Sequence, residues 1–267
     1  MRGIAVIEMT EGDVASVFIS GVSEGIGYAL AAHYLARNRT VYGVARRRPD
    51  ALLAHPRMIF RQCDLQTLDE TTDLFDGVFA PIARDGVSVV YLNAGVSGAG
   101  PTPARECSLD DIQRTLAVNT LANKVLLDKF MALPVRPEVV VASASIAGVR
   151  FRAGMLPYSL SKAALLALCG VYAEEHPDVF FAVLGMCNVD TALSREIVFS
   201  PRIAEFPEHV RLNERFRTPG YAVSAEQRAA DVFDLIHPVP DERLRSGRFI
   251  EIRGLLSQDG SAQRVAG

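Results

Sequence analysis

Gly21-Val22-Ser23-Glu24-Gly25-Ile26-Gly27 (GVSEGIG) stands between the apolar run Ser16-Val17-Phe18-Ile19-Ser20 and a helical pattern that opens YALAAHYLAR. Two chemistries fit this stretch. Its first five residues satisfy G-x-S-x-G, the strand-to-helix elbow that exposes a nucleophilic serine in α/β-hydrolases. All seven satisfy G-x-x-x-G-x-G, a loop that cradles phosphates. A hydrolase elbow needs an earlier strand-helix loop to complete its oxyanion hole, and only one predicted strand precedes Ser23. The phosphate reading needs a loop between the first strand and the first helix, where free helix N–H groups meet a pyrophosphate. That is the position found. Gly21 permits the tight turn, Gly25 lets the backbone approach the phosphates, and Gly27 lets the helix pack on the strand. Ser23, Glu24 and Ile26 then read as walls of a dinucleotide cradle.

Downstream, short β-branched or aromatic runs recur at 40–45, 58–63, 87–92, 138–143, 179–185 and 248–252. Helix-length segments with apolar recurrence near 3.6 lie between them: the run after GIG, then 68–83, 109–131, 158–175 and 225–236. Ser108 and Ser224 suit N-caps, with Asp111 and Gln227 three positions on. Strict alternation of helices with strands apolar on both faces predicts an α/β fold, a doubly wound parallel sheet (Rossmann fold). No repeat or linker divides the chain, so 1–267 is expected to be a single domain. Residues 192–223 carry three prolines and five arginines without clean periodicity and are expected to form a substrate lid. Residues 1–8 read as an edge strand or a leader, and 258–267 as a mobile tail.

The second strand should end near the cofactor ribose, where an acid suits NAD and an arginine suits a 2′-phosphate. The residues there are Ala45-Arg46-Arg47-Arg48, without an acid. Arg46 or Arg47 could hold a phosphate bidentately, or the three could form a solvated turn. Glu24 counts the other way if its carboxylate faces that phosphate. NADP(H) is therefore the preferred cofactor, with NAD(H) as the alternative.

Tyr158 and Lys162 lie four apart at the start of a predicted helix, on one face. With seven tyrosines and only three lysines (Lys124, Lys129, Lys162) in 267 residues, a chance Y-x-x-x-K has an expectation of roughly 0.08. A phenol must be lowered by about two to three pH units to exchange protons near neutrality, and a fixed ammonium can do much of this. Tyr158 is thus the expected general acid or base.

These motifs, in this order, resemble the short-chain dehydrogenase/reductase family over about residues 16–252. The matching residues are Ser20-Gly21-x-x-x-Gly25-Ile26-Gly27, Asp64, Asn93-Ala94-Gly95, Asn119, Ser145, and Tyr158 with Lys162. The resemblance implies a carbonyl held by Ser145 and Tyr158, with Lys162 on the nicotinamide ribose and Asn119 kinking its helix to hold a relay water. It implies Asp64 and Leu65 at the adenine, Asn93, Ala94 and Gly95 along the cofactor, and Val189 and Thr191 at the carboxamide. It also implies a small-molecule carbonyl or alcohol substrate and a homodimer or homotetramer. Three positions depart from the family pattern: Ser20 replaces Thr, Leu92 replaces Asn, and Met186-Cys187 replaces a turn-forming Pro-Gly. The DLQ at 64–66, LSREI and SGRFIEI resemble the branch holding sepiapterin and benzil reductases, which uses NADPH.

Other features narrow the reading. A net charge of −3 gives no electrostatic reason for a nucleic-acid partner. Four scattered cysteines suggest neither disulfides nor a thiolate metal site and suit the cytoplasm, and the five histidines lack metal-ligand spacing. No run of 18 apolar residues suggests a membrane span. The lid arginines Arg195, Arg202, Arg211, Arg215 and Arg217 could meet an anionic substrate, but neighbouring glutamates favour a salt-bridged surface. Phe151, Met155, Phe199 and Phe206 suit a pocket wall or ordinary core. The alternative function is a non-catalytic, dinucleotide-sensing or partner-binding protein that keeps the fold, encouraged only by Met186-Cys187.

Overall fold

Val17 and Ile19 of the first strand pack into one apolar cluster, and Phe18 between them packs into another. A strand whose successive side chains are all buried must lie inside a sheet covered on both faces. The computed structural model, which describes residues 16–67 and 73–256, bears this out. Seven parallel strands run in the order β3-β2-β1-β4-β5-β6-β7. They are β1 (Ser16–Ser20), β2 (Thr40–Ala45), β3 (Met58–Gln62), β4 (Val89–Leu92), β5 (Val139–Ala144), β6 (Phe180–Gly185) and β7 (Phe249–Glu251). β1 pairs with β2 on one side and with β4 on the other. The strand order therefore reverses at β1/β4, opening a crevice at the carboxyl ends of these strands where such folds bind ligands.

Helices α1 (Gly25–Ala36) and a later one, Ala225–Ile236, cover one face. Leu30, Tyr34, Val232 and Ile236 join Val17 and Ile19 there, all fully buried. Helices α2 (Asp50–Leu53) and α3 (Ala80–Asp85) follow in sequence, then α4 (Leu109–Leu116), a π turn (Ala117–Leu121), α5 (Ala122–Met131) and α6 (Leu156–Glu175). Phe79, Ile82, Leu126 and Phe130 meet Phe18 on the second face. α6 is 20 residues long with mean hydropathy 1.3, enough by length and composition to cross a bilayer. Here it lies on the sheet, with Leu165 and Cys169 against Ala142, Ala144 and Val183.

Two segments differ from their sequence pattern. The expected helix at 68–83 is, where described, a 3-10 turn (Gly77–Phe79) followed by α3, because Gly77 at φ +60° cannot continue a helix and the chain restarts at Ala80-Pro81. Residues 192–223, expected to form a lid, are also largely helical, with α7 (Ala192–Val198) and α8 (Pro207–Phe216). α8 shows no apolar period because its buried face is polar: His209 and Asn213, one turn apart, bond the Ala153 and Val198 carbonyls at 3.0 and 2.9 Å. α9 is Ala225–Ile236. Ser108 and Ser224 cap α4 and α9 as expected, accepting from Asp111 and Gln227. The readings of 1–8 and 258–267 lie outside the described residues.

Candidate active site

The glycine loop is built by exclusion of side chains. Gly21 (φ +80°) and Gly25 (φ +61°) take the left-handed backbone. A Cβ on Gly27 would stand 2.2 Å from the Gly21 carbonyl oxygen, so the first turn of α1 rests directly on the loop. A Cβ on Gly21 would stand 2.9 Å from Cα of Ala94, which brings the β4 loop against it. Ser20 joins the two loops: its Oγ accepts from the Asn93 and Ala94 N–H groups at 2.9 and 3.1 Å and donates to the Tyr91 carbonyl at 3.2 Å. Ser20 thus does with a bare hydroxyl what a threonine would do. The Asn93 side chain donates to the Ser20 carbonyl and accepts from Ser143 Oγ at 3.1 Å, extending the clamp to β5 without an asparagine at Leu92, which is core.

A cleft of about 510 Å³ runs over these loops. At one end it is lined by Arg46, Arg47, Asp64 and Leu65, with Ser23, Glu24, Gly25 and Ile26 on the near wall. Glu24 is paired with Arg47 at 2.5 Å, both more than half exposed, so its carboxylate faces a cation at the ribose end. Asp64 accepts the Gln66 N–H at 3.0 Å, which turns the chain after β3. Glycines that admit backbone, a helix N-terminus and adjacent guanidiniums suit a phosphorylated dinucleotide.

Ser145, Tyr158 and Lys162 meet at the cleft's centre. Ser145 ends β5 and caps a 3-10 turn through Ala147 N–H at 3.2 Å, and its hydroxyl hydrogen-bonds the Tyr158 phenol. Lys162 lies one turn further along α6, its Nζ donating to the Ser143 carbonyl at 2.8 Å and lying 5.6 Å from the Tyr158 ring centroid. Burial drops the Lys162 ammonium to about 8. The phenol is not lowered, as the sequence led one to expect, but raised: burial outweighs the Ser145 hydrogen bond.

Asn119 and Gly27 do not line the cleft. Asn119, fully buried in the π turn, accepts the Val96 N–H at 2.8 Å and donates to the Val96 carbonyl and Ser161 Oγ, both at 2.9 Å. The π turn breaks the regular helical ladder at this residue, and the side chain pins the Gly95-Val96 wall to α6. A Cβ on Gly95 would stand 3.3 Å from the Asn119 side-chain oxygen and 3.8 Å from Lys162 Nζ.

Across the cleft, Val189 and Thr191 follow β6. Thr191 caps α7 through a reciprocal box with Ser194, and its Cγ2 would be 3.3 Å from a Cβ on Gly25. Cys187 takes φ +57°, the conformation a glycine would adopt, so the turn forms without Pro-Gly and leads into a bridge between Val189 and Val223. Of the expected apolar wall only Met155 lines the cleft. Phe151 is 74% exposed, Phe199 packs on Phe216, and Phe206 covers Gly154. Arg150, Arg152, His209 and Arg215 do line it and escaped the sequence reading as a group, because no local pattern says which arginines face inward.

Comparison with known proteins follows the same lines. The family model described as short chain dehydrogenase matches residues 15–198. An NADPH-dependent 3-dehydrocapnine reductase of Ornithobacterium rhinotracheale is 29% identical over 170 residues, 59% of this chain and 58% of that protein. A benzil reductase ((S)-benzoin forming) of Bacillus subtilis is 28% identical over 169 residues, 60% of this chain and 67% of that protein. The matches thus span about three fifths to two thirds of these relatives. Among solved structures, the KRED1-Pglu enzyme superposes with TM-score 0.77 at 20% identity, covering 88% of this chain and 99% of that one. A short chain dehydrogenase from Burkholderia cenocepacia in complex with NADP gives 0.71 at 24%, covering 91% and 97%. At these identities the structures show a shared fold.

Proposed function

The chain belongs to the short-chain dehydrogenase family, and on that premise we propose that it is an NADP(H)-dependent oxidoreductase that interconverts a small-molecule carbonyl and its alcohol. The observation that carries the reading is the hydrogen bond between Ser145 and Tyr158 with buried Lys162 beneath it, in a cleft that continues to the glycine loop. Bound NADPH would supply the hydride. Ser145 and Tyr158 hold the carbonyl oxygen between two hydroxyls, and Tyr158 gives its proton to that oxygen as negative charge develops there. Lys162 keeps a cation beside the phenolate that remains. Gly21, Ser23, Gly25 and Ile26 would face the pyrophosphate, Asp64 and Leu65 the adenine, Arg46 the 2′-phosphate, and Asn93, Ala94, Gly95, Val189 and Thr191 the nicotinamide half. The lid helices α7 and α8 would exclude water.

The names of both sequence relatives support a reductase, and one of them an NADPH-dependent one. The non-catalytic alternative drew its only encouragement from Met186-Cys187, and Cys187 at φ +57° makes the turn that Pro-Gly would make. The test is titration with NADPH and NADH, followed by a panel of ketones, aldehydes, diketones and quinones with the tighter cofactor. Oxidation of NADPH by some member, abolished in Tyr158→Phe with cofactor binding kept, is the expected result. Tight NADPH binding without turnover of any member would favour the non-catalytic alternative.

A further inference from the structure

We propose that the substrate carries an anionic group, a carboxylate or sulfonate, held at the lid end of the cleft by Arg150, Arg152 and Arg215. The inference rests on the reductase reading above and names its substrate class. The segment joining β5 to α6 starts at Ser145 and leads into the first turn of α6, which carries Tyr158, so those of its side chains that line the cleft stand beside whatever the two hydroxyls hold. Arg150 and Arg152 lie on this segment and line the cleft. Arg215 enters the same lining from α8. Two separate elements thus bring guanidiniums to the cleft.

Lining the cleft without a partner sets them apart from the arginines of residues 192–223 that are paired; Arg211 also has no partner among the described residues but lies outside the lining. Arg195 is spent on Asp190 at 2.5 Å, Arg202 on Glu106 and Glu205 at 2.8 and 2.6 Å, and Arg217 on Asn213 and the Phe199 ring. Arg150, Arg152 and Arg215 make no ion pair and no side-chain hydrogen bond among the described residues. Arg150 and Arg215 are exposed and Arg152 is half-buried, which places the three at a mouth rather than in the core. The carboxylates that line the cleft are Glu24, Asp64 and Glu251, against the arginines Arg46, Arg47, Arg150, Arg152, Arg215 and Arg253. The balance is positive.

A fourth side chain, His209, ties α8 to the segment that carries Arg150 and Arg152. His209 is 1% exposed, and its Nε2 bonds the Ala153 carbonyl at 3.0 Å. A carbonyl can only accept, so Nε2 carries the proton. Nδ1 is buried without a partner in a residue that lines the cleft. Phe206 against Gly154 and His209 against Ala153 latch α8 to the Arg150–Arg152 segment, so the backbone that carries the three arginines is held together.

The experiment compares diketones of the benzil type bearing a remote carboxylate, attached directly or through a two- or four-carbon linker, each against its own methyl ester and with NADPH. The remote position leaves the electrophilicity of the carbonyl nearly equal within each pair. At least one acid is expected to exceed its ester tenfold or more in kcat/KM, and its sulfonate analogue to share the preference. Added KCl should shrink the preference. Arg152→Gln and Arg215→Gln should each lower the acid-to-ester ratio at least fivefold. Arg211→Gln, exposed on α8 but outside the cleft lining, should preserve it. Esters reduced as well as every acid, or ratios unmoved in Arg152→Gln and Arg215→Gln, would overturn the anion site alone. Failure of the acids, the esters and the unsubstituted diketones, together with failure of the ketone, aldehyde and quinone panel, would overturn the reductase reading and the anion site with it.

Discussion

Lys162 Nζ donates to the Ser143 carbonyl at 2.8 Å, directly beneath the Tyr158 ring, with only 4% of Lys162 exposed. An ammonium so placed is held at the expense of stability. Its pKa falls from 10.5 to about 8 on folding, and each pH unit of displacement is worth about 1.4 kcal/mol. Because the folded value is the lower one, the penalty is full below pH 8 and fades as pH rises from 8 to 10.5. Lys162→Met removes roughly 3 kcal/mol of penalty and leaves the Ser143 carbonyl unpaired at a cost of about 1 kcal/mol. The variant should melt roughly 4–8 °C higher at pH 7, and this advantage should vanish near pH 10. Turnover should fall about a hundredfold or more. Calorimetry at the two pH values checks the sign, and a destabilised variant at pH 7 would refute it.

Ser20 has no exposed surface, and three backbone groups of the β4 loop depend on its hydroxyl. Ser20→Ala strands the Asn93 and Ala94 N–H groups, and each buried orphan costs about 1–3 kcal/mol. The expected loss is about 2–4 kcal/mol in urea unfolding, with weaker NADPH binding because the loop carrying Asn93, Ala94 and Gly95 is released. Ser20→Thr keeps the hydroxyl and should stay within about 1 kcal/mol of the native protein. Equal stability of the alanine and threonine variants would show that the clamp contributes nothing.

Cys187 is a non-glycine residue at φ +57°, which costs an L-residue about 1–2 kcal/mol. Glycine relieves that cost but orders a freer chain, so Cys187→Gly should change stability by less than about 1 kcal/mol and keep turnover. A β-branched residue suits this conformation worst, and Cys187→Val should lose about 2 kcal/mol or more. Chemical denaturation of the two variants separates backbone strain from loss of the thiol. If both behave alike, the conformation of the turn is not what matters at this position.

Much of the fold was legible because its signals are local. β1, the glycine loop and α1 follow from an apolar run, three glycines and a 3.6 period, and the alternation of such units implies the parallel sheet. Tyr158 and Lys162 were legible for a chemical reason, since lysine is rare in this chain. The lid helices were hidden because α8 buries His209 and Asn213 rather than leucines. The break at Gly77 was hidden because apolar spacing runs straight through it. The inward-facing arginines were hidden for a third reason: among 25 arginines, only tertiary placement distinguishes Arg152 and Arg215 from Arg195 and Arg202. The direction of the Tyr158 pKa belongs with these, because desolvation depends on what the rest of the chain packs around the phenol.

Glu24 and Arg47 bear on cofactor choice in the same way. Their 2.5 Å ion pair is more than half exposed on both sides, and such pairs are worth little and exchange partners readily. Among the described residues Arg46 is tied through its main-chain carbonyl, which accepts from the Gln62 side chain at 2.8 Å, and its guanidinium, which lines the cleft, is placed for a 2′-phosphate. Arg46→Ala should therefore weaken NADPH binding tenfold or more and alter NADH binding less than threefold. In Glu24→Gln, Arg47 loses its anion and becomes available to the phosphate, so NADPH should bind about two- to fivefold more tightly, and more so at low salt. The reversed outcome, tighter NADH than NADPH in the native protein or weaker NADPH in Glu24→Gln, would mean that the arginines after β2 are a solvated turn and that Glu24 serves the ribose itself. Fluorescence titration of the four protein–cofactor combinations at two ionic strengths decides between them.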